Sequence, residues 1–230
     1  MYFRTKRVLF NILGGILAGL IVLVGFFSCV VITLNLVYIK TNVVGYSMLP
    51  TLNSNVATAY EEGDCVYINR FAECEVGDVV VAEVDWNGSD KYVIKRLIGK
   101  PGDKIQIKEV DGVYNLYVND SLLYSKEKSE YDDENNLGST ESYFEYTYLK
   151  FFNKSEFSSI VFEDENKEKY ILLGDDDYFI MGDNWGRTDD SLKYGPVKKC
   201  ELVGRVDVVV PYKEAEQGYI LKLIMNSLFS

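Results

Sequence analysis

The sequence predicts a mainly β domain carried on a single N-terminal membrane-crossing helix. Two observations carry that expectation. No charged residue occurs from Val8 to Ile39, an apolar run longer than the ~20 residues a helix needs to cross a bilayer. Beyond residue 60 the chain breaks into short runs of β-branched and aromatic residues, punctuated by Gly, Asp and Asn.

Taken in order, residues 1–7 form a short N-terminus and residues 8–39 the anchor. Arg4, Lys6 and Arg7 precede the run and only Lys40 follows it, so the positive-inside rule puts the N-terminus in the cytoplasm and residues 40–230 on the extracytoplasmic side. A cleaved signal peptide would have an apolar core of only ~7–15 residues ending at small residues, and this run is longer and ends without such a site. A lipoprotein reading at Ser28-Cys29 fails because apolar residues continue for ten positions past Cys29.

Strands are expected at Cys65–Asn69, Asp78–Val84, Tyr92–Ile98, Lys104–Lys108 and Val113–Val118. The turns Lys100-Pro101-Gly102-Asp103 and Asp111-Gly112 separate them. Residues 121–169 mix Ser, Glu, Lys, Asn and Tyr without a clean period and read as a surface subdomain or insertion. Strands resume at Tyr170–Leu173, Tyr178–Met181 and Leu202–Val210. In the tail, Ile220, Leu223, Ile224, Ser227 and Leu228 fall at helical spacing, in a segment too short to span a bilayer.

Composition excludes several functions. The net charge is −11, and residues 1–40 carry four bases and no acid, so the remainder stands at −15 and is a poor partner for nucleic acid. Histidine is absent, which removes Ser/His/Asp and Cys/His catalysis and imidazole zinc sites together. The cysteines Cys29, Cys65, Cys74 and Cys200 lack metal-ligand spacing, and Cys65 and Cys74 are the candidate pair for a bond across neighbouring strands. The acidic run Asp175–Asp177 fits no calcium loop and reads as a solvated turn. No metal or cofactor is expected.

Directly after the anchor comes GYSMLPTL, residues 45–52, with Ser47 between large apolar residues. A serine hydroxyl attacks only when a base takes its proton, and without histidine that base is Lys, Asp, Glu or an N-terminal amine. Lys95 stands in the apolar strand YVIKRLI, where alternation puts it on one face with Val93 and Leu97. A free lysine has a pKa of ~10.4, and burial can lower it by ~3–5, which would make Lys95 a usable base. The alternative is a lysine that snorkels from an edge strand to water.

Several separated blocks resemble the type I signal peptidases, the bacterial-type membrane-bound Ser/Lys endopeptidases of family S26. GYSMLPTL resembles the family's serine box. GDCVYINR (63–70), VGDVVVAE (76–83) and YVIKRLIGKPGD (92–103) follow in the family's order, and YFIMGDNWGRTDDSLKYGPV (178–197) with LVGRV (202–206) resemble its closing block. The resemblance implies a two-part antiparallel β-sheet domain of the signal peptidase/LexA-like type. It also implies removal of signal peptides from exported preproteins after small residues, with the lipid bilayer as second partner and without nucleic acid or cofactor.

Carried over by position, Ser47 is the nucleophile and Lys95 the general base. Gly182, Asp183 and Asn184 match a GDN turn whose expected part is to brace the loop, Thr188 stands where a hydroxyl helps position the lysine, and Asp190 and Ser191 match an Asp-Ser pair. The arginine that follows that pair in the family is replaced by Leu192, so Lys193 is expected as the partner of Asp190. Gly45 lacks the hydroxyl that some members use for the oxyanion, which leaves the Ser47 N–H to do that work, while Met48 and Pro50 are expected to flank the substrate groove. Two rival readings use the same residues. One is a signal-peptidase-like assembly or binding factor for surface appendage (pilus) subunits, and the other a self-cleaving repressor-type Ser/Lys protease, which would need a DNA-binding segment in place of the anchor.

Overall fold

A computed structural model describes residues 2–54, 63–86, 88–130, 132, 134–135 and 137–212. The helical tail expected at 218–230 lies outside them. The chain divides into two units, residues 1–39 and 40–230.

The first unit is α1 (Tyr2–Val37), which runs through the apolar segment without a break. Within it Phe10–Val37, 28 residues of mean hydropathy 2.8, is long and apolar enough to cross a membrane. At 1.5 Å per residue it spans about 42 Å against a hydrocarbon core of about 30 Å. The helix stops two residues before the end of the expected anchor, and the chain continues extended as β1 (Tyr38–Asn42).

The second unit is mainly β. Its strands are β2 (Cys65–Asn69), β3 (Val79–Asp85), β4 (Asp90–Gly99), β5 (Lys104–Val110), β6 (Val113–Val118), β7 (Ser121–Glu127), β8 (Val161–Glu163), β9 (Lys169–Leu172), β10 (Asp177–Met181), β11 (Val197–Lys198) and β12 (Leu202–Val210). One sheet has the order β1-β2-β12-β3-β4-β10-β11 and the other β7-β6-β5-β9-β8. The strands of both sheets pair antiparallel at β10–β4, β12–β2, β12–β3, β3–β4, β5–β6 and β6–β7, as the expected two-part β domain requires.

Alternation along β3 shows how the sequence builds the first sheet. Val79 and Val81 pack on one face with Met48, Leu52, Val66 and Ile68, while Val80, Ala82 and Val84 pack on the other with Leu97, Ile180 and Val197. Across from β3, β4 pairs Val80 with Lys95 and Val79 with Arg96, so these two cations point to opposite faces.

Residues 121–169 supply β7, β8 and the first residue of β9 to the second sheet and a helical segment formed by α2 (Thr140–Tyr143), a π-turn (Phe144–Tyr148) and α3 (Leu149–Phe151). Tyr143, Tyr148 and Phe151 of that segment are buried with Ile105, Leu116, Phe179 and Trp185 in the largest core. A short helix, α4 (Ser191–Tyr194), follows β10, with Asp190 as its N-cap.

The Cys65–Cys74 bond does not form, and both thiols are free. Cys65 opens β2 opposite Val210 of β12, whereas Cys74 lies beyond the end of β2 with its thiol toward the Ala72 carbonyl. No neighbouring strand therefore carries Cys74 beside Cys65.

Candidate active site

Ser47 sits in a tight turn in which Leu49 N–H donates to the Tyr46 carbonyl (3.1 Å) and Leu52 N–H to the Met48 carbonyl (3.0 Å). The turn is entered through Gly45 at φ +96°, a left-handed conformation that favours glycine. Met48 and Leu52 anchor it in the core from below, at 2% and 1% exposure.

Lys95 reaches this serine from the middle of β4. Its Nζ lies 2.8 Å from Ser47 Oγ and 3.1 Å from the Ile94 carbonyl. Only 5% of Lys95 is exposed. Burial pulls its pKa down to about 8, although Asp190, Asp189 and Asp183 each act to raise it. Lysine and serine together thus present a buried amine, shifted toward its neutral form, within proton-transfer distance of a hydroxyl.

The loop 182–194 closes the site from the β10 side. Asn184 holds the serine turn twice, its N–H donating to the Ser47 carbonyl (3.0 Å) and its Nδ2 to the Tyr46 carbonyl (2.9 Å). Asp183 receives both arms of the Arg96 guanidinium, Nε on Oδ1 and Nη2 on Oδ2, and the Thr51 hydroxyl as well. Its carbonyl accepts from Lys126 Nζ (2.6 Å), and burial lowers the pKa of that lysine. Gly182 packs so closely that a Cβ there would lie 2.6 Å from the Ser47 carbonyl oxygen. Ser191 Oγ accepts from the Ile180 N–H (3.0 Å) and fixes the loop to β10.

Two expected contacts differ. The Thr188 hydroxyl is buried and has no hydrogen-bond partner among the described residues, so it does not reach Lys95. Its side chain packs on Gly182 instead. Lys193 pairs with Asp189 rather than Asp190, because one turn of helix puts it on the exposed side while Asp190 caps α4 from within. Asp190 is wholly buried, and its carboxylate accepts from Tyr143 OH (2.8 Å), Gly182 N–H (3.2 Å) and Leu192 N–H (3.1 Å). Burial raises its pKa, and these donors together with Lys95 oppose that rise.

Beside Ser47 and Lys95 opens a cavity of about 280 Å³, walled by Gly45, Val84, Val93, Trp86 and Tyr194. Met48, buried in the core, does not line it, and Pro50 lines a second cavity of about 190 Å³ with Arg96, Lys126 and Trp185. Sequence reading missed Arg96, Lys126, Tyr143, Trp86 and Tyr194. For Arg96 a signal was present, since it follows Lys95 on a buried strand and must find an acid on the opposite face.

The chain is similar to proteins of known family. The sequence profile of the family described as "Signal peptidase, peptidase S26" matches residues 17–211. "Signal peptidase I P" of Bacillus subtilis subsp. natto is 29% identical, over 91% of this chain and 94% of its own length. "Signal peptidase I" of Rickettsia typhi is 33% identical over 60% of this chain, and that of Rickettsia akari 32% over 52%. This chain spans about half the length of those two Rickettsia relatives, 52% and 44%. A crystal structure of a signal peptidase I from Enterococcus faecalis V583 shares 22% identity at a TM-score of 0.33, covering 59% of this chain and 97% of that one. With the profile matched from within the apolar helix to the end of the last strand, the chain belongs to the signal peptidase family, peptidase S26.

Proposed function

We propose that this protein is a membrane-bound serine endopeptidase that removes N-terminal signal peptides from exported preproteins through a Ser47/Lys95 dyad. The observation that carries the reading is the 2.8 Å approach of Lys95 Nζ to Ser47 Oγ at a site where burial holds the amine near pKa 8. Family membership and the presence of a bilayer-length apolar helix support the substrate class.

In this mechanism Ser47 Oγ attacks the carbonyl carbon at the end of the signal peptide while Lys95 Nζ takes the hydroxyl proton. The Ser47 N–H stabilises the resulting oxyanion, since Gly45 has no side chain to share that work. Collapse of the tetrahedral adduct breaks the C–N bond, and the Lys95 ammonium returns its proton to the departing amine. A water, deprotonated by the neutral Lys95, then attacks the Ser47 ester and releases the signal peptide as a carboxylate. Asn184 keeps Ser47 in line during both halves through the Ser47 and Tyr46 carbonyls. The charge difference across α1 orients residues 40–230 to the extracytoplasmic side, where a signal peptide still in the bilayer presents its cleavage site.

The test is cleavage of a detergent-solubilised preprotein by the wild type, Ser47→Ala and Lys95→Met proteins, with the cut mapped by mass spectrometry. Cleavage after a small residue by the wild type alone is expected. An intact panel of preproteins would replace this reading with the assembly-factor alternative, and full activity in Lys95→Met would refute the Ser47/Lys95 dyad.

A further inference from the structure

Three carboxylates act on Lys95, and two of them carry a cation of their own. Asp183 is engaged by Arg96 and Asp189 by Lys193. Asp190, the largest of the three influences on Lys95, has no ion-pair partner among the described residues and is held by neutral donors only. The strongest placed of these is Tyr143, itself 1% exposed, whose ring stacks on Trp185 at 4.9 Å and 30°. Tyr143 lies 47 residues before Asp190, in the segment 121–169.

We propose that Tyr143 is a positioning residue of the dyad, whose hydroxyl holds Asp190 as a fixed carboxylate and so lets the Asp190 charge set how readily Lys95 takes a proton. A cation in that position would stabilise the carboxylate and cancel its field together. A phenolic O–H stabilises the ionised form while leaving most of its charge to act on the amine. The inference rests on Lys95 being the general base.

Other charged and titratable groups surround the pair. Lys91 and Arg187 share the cavity with Lys95, while Lys154 and Tyr194 lie within the electrostatic reach of Asp190. Lys154 donates to the Leu192 and Lys193 carbonyls and makes no contact with the Asp190 carboxylate.

The experiment compares the wild type, Tyr143→Phe and Asp190→Asn in the full chain in detergent. It reads the acid limb of kcat/KM against pH and, without catalysis, the pH dependence of Lys95 labelling by acetic anhydride, quantified on the Lys95 peptide by mass spectrometry. Losing a donor favours protonation of the buried Asp190, so in Tyr143→Phe both curves move to lower pH, by roughly half a unit or more. Asp190→Asn moves them further in the same direction. Coincident curves with a uniformly lower rate, a movement to higher pH, or an unmoved Asp190→Asn curve each overturn the proposal. A wild type that does not cleave removes the functional reading, while the labelling curves still decide this one.

Discussion

Replacing Gly182 with alanine tests how tightly the closing loop holds the nucleophile. The φ of Gly182 is not in the left-handed range, so alanine meets no backbone obstacle. Its Cβ, however, would stand 2.2 Å from Thr188 Oγ1, 2.5 Å from Thr188 Cβ and 2.6 Å from the Ser47 carbonyl oxygen. Opening the last contact to about 3.2 Å needs a shift of roughly 0.6 Å in the residue that carries the attacking oxygen. Misplacement by ~1 Å costs on the order of 10²-fold in rate, so a fall in kcat/KM of about 10- to 100-fold is expected. Overpacking of this kind also costs about 1–3 kcal/mol of stability.

A second substitution separates the two effects. Thr188→Gly in the Gly182→Ala background removes the two side-chain contacts and leaves the one with Ser47. Urea unfolding should then recover toward the wild type while preprotein cleavage stays low. Wild-type cleavage by Gly182→Ala, or full recovery of cleavage in the double variant, would show that the Ser47 carbonyl has slack the structure does not allow.

Two further predictions concern charge. Arg96→Ala leaves the Asp183 carboxylate, 14% exposed, with Thr51 as its remaining side-chain donor, and should lower stability by about 3 kcal/mol. Arg96→Lys, which lacks the two-pronged fork, should recover only part of that, and an unmoved urea midpoint for Arg96→Ala would refute the account. The second follows from Lys95, whose pKa falls on folding from its ordinary 10.5 to about 8. Between those values the unfolded chain still holds a proton that the folded chain has released, so stability rises with pH across this window, by up to about 3 kcal/mol in all. Below pH 8 both states are protonated and the contribution is flat. Lys95→Met should lack the rise, and parallel stability curves for the two proteins would show that folded Lys95 keeps its proton.

How much of this was legible depends on whether the determining contacts are local. Cys65–Asn69, Val113–Val118 and Leu202–Val210 form strands with the bounds expected, because a run of β-branched residues between turn formers carries its own signal. Lys95 was legible as a lone cation on an apolar strand face. Residues 121–169 were not, since Tyr143, Tyr148 and Phe151 are spaced through a helix interrupted by a π-turn and interleaved with Glu and Lys, which blurs the helical period. The partner of Asp190 could not be guessed from neighbours either. Lys193 is near in sequence and pairs with Asp189, whereas Tyr143 comes from the far side of β8, β9 and β10 and meets Asp190 only when the largest core is assembled.

The arrangement of acids around Lys95 explains why burial prevails there. Three carboxylates would ordinarily keep a lysine protonated, yet its pKa settles at about 8. Arg96 and Lys193 turn two of the three into dipoles, whose fields fall off faster than that of a single charge, and Asp190 acts most strongly of the three. At neutral pH a base of pKa about 8 is neutral roughly a tenth of the time, against about one part in three thousand for an ordinary lysine. Removing Asp190 as well would raise the neutral fraction further but leave a weaker base, less able to hold the proton it takes from Ser47. One unscreened carboxylate, held by neutral donors, therefore keeps Lys95 basic enough to take the Ser47 proton in a chain that has no histidine to do so.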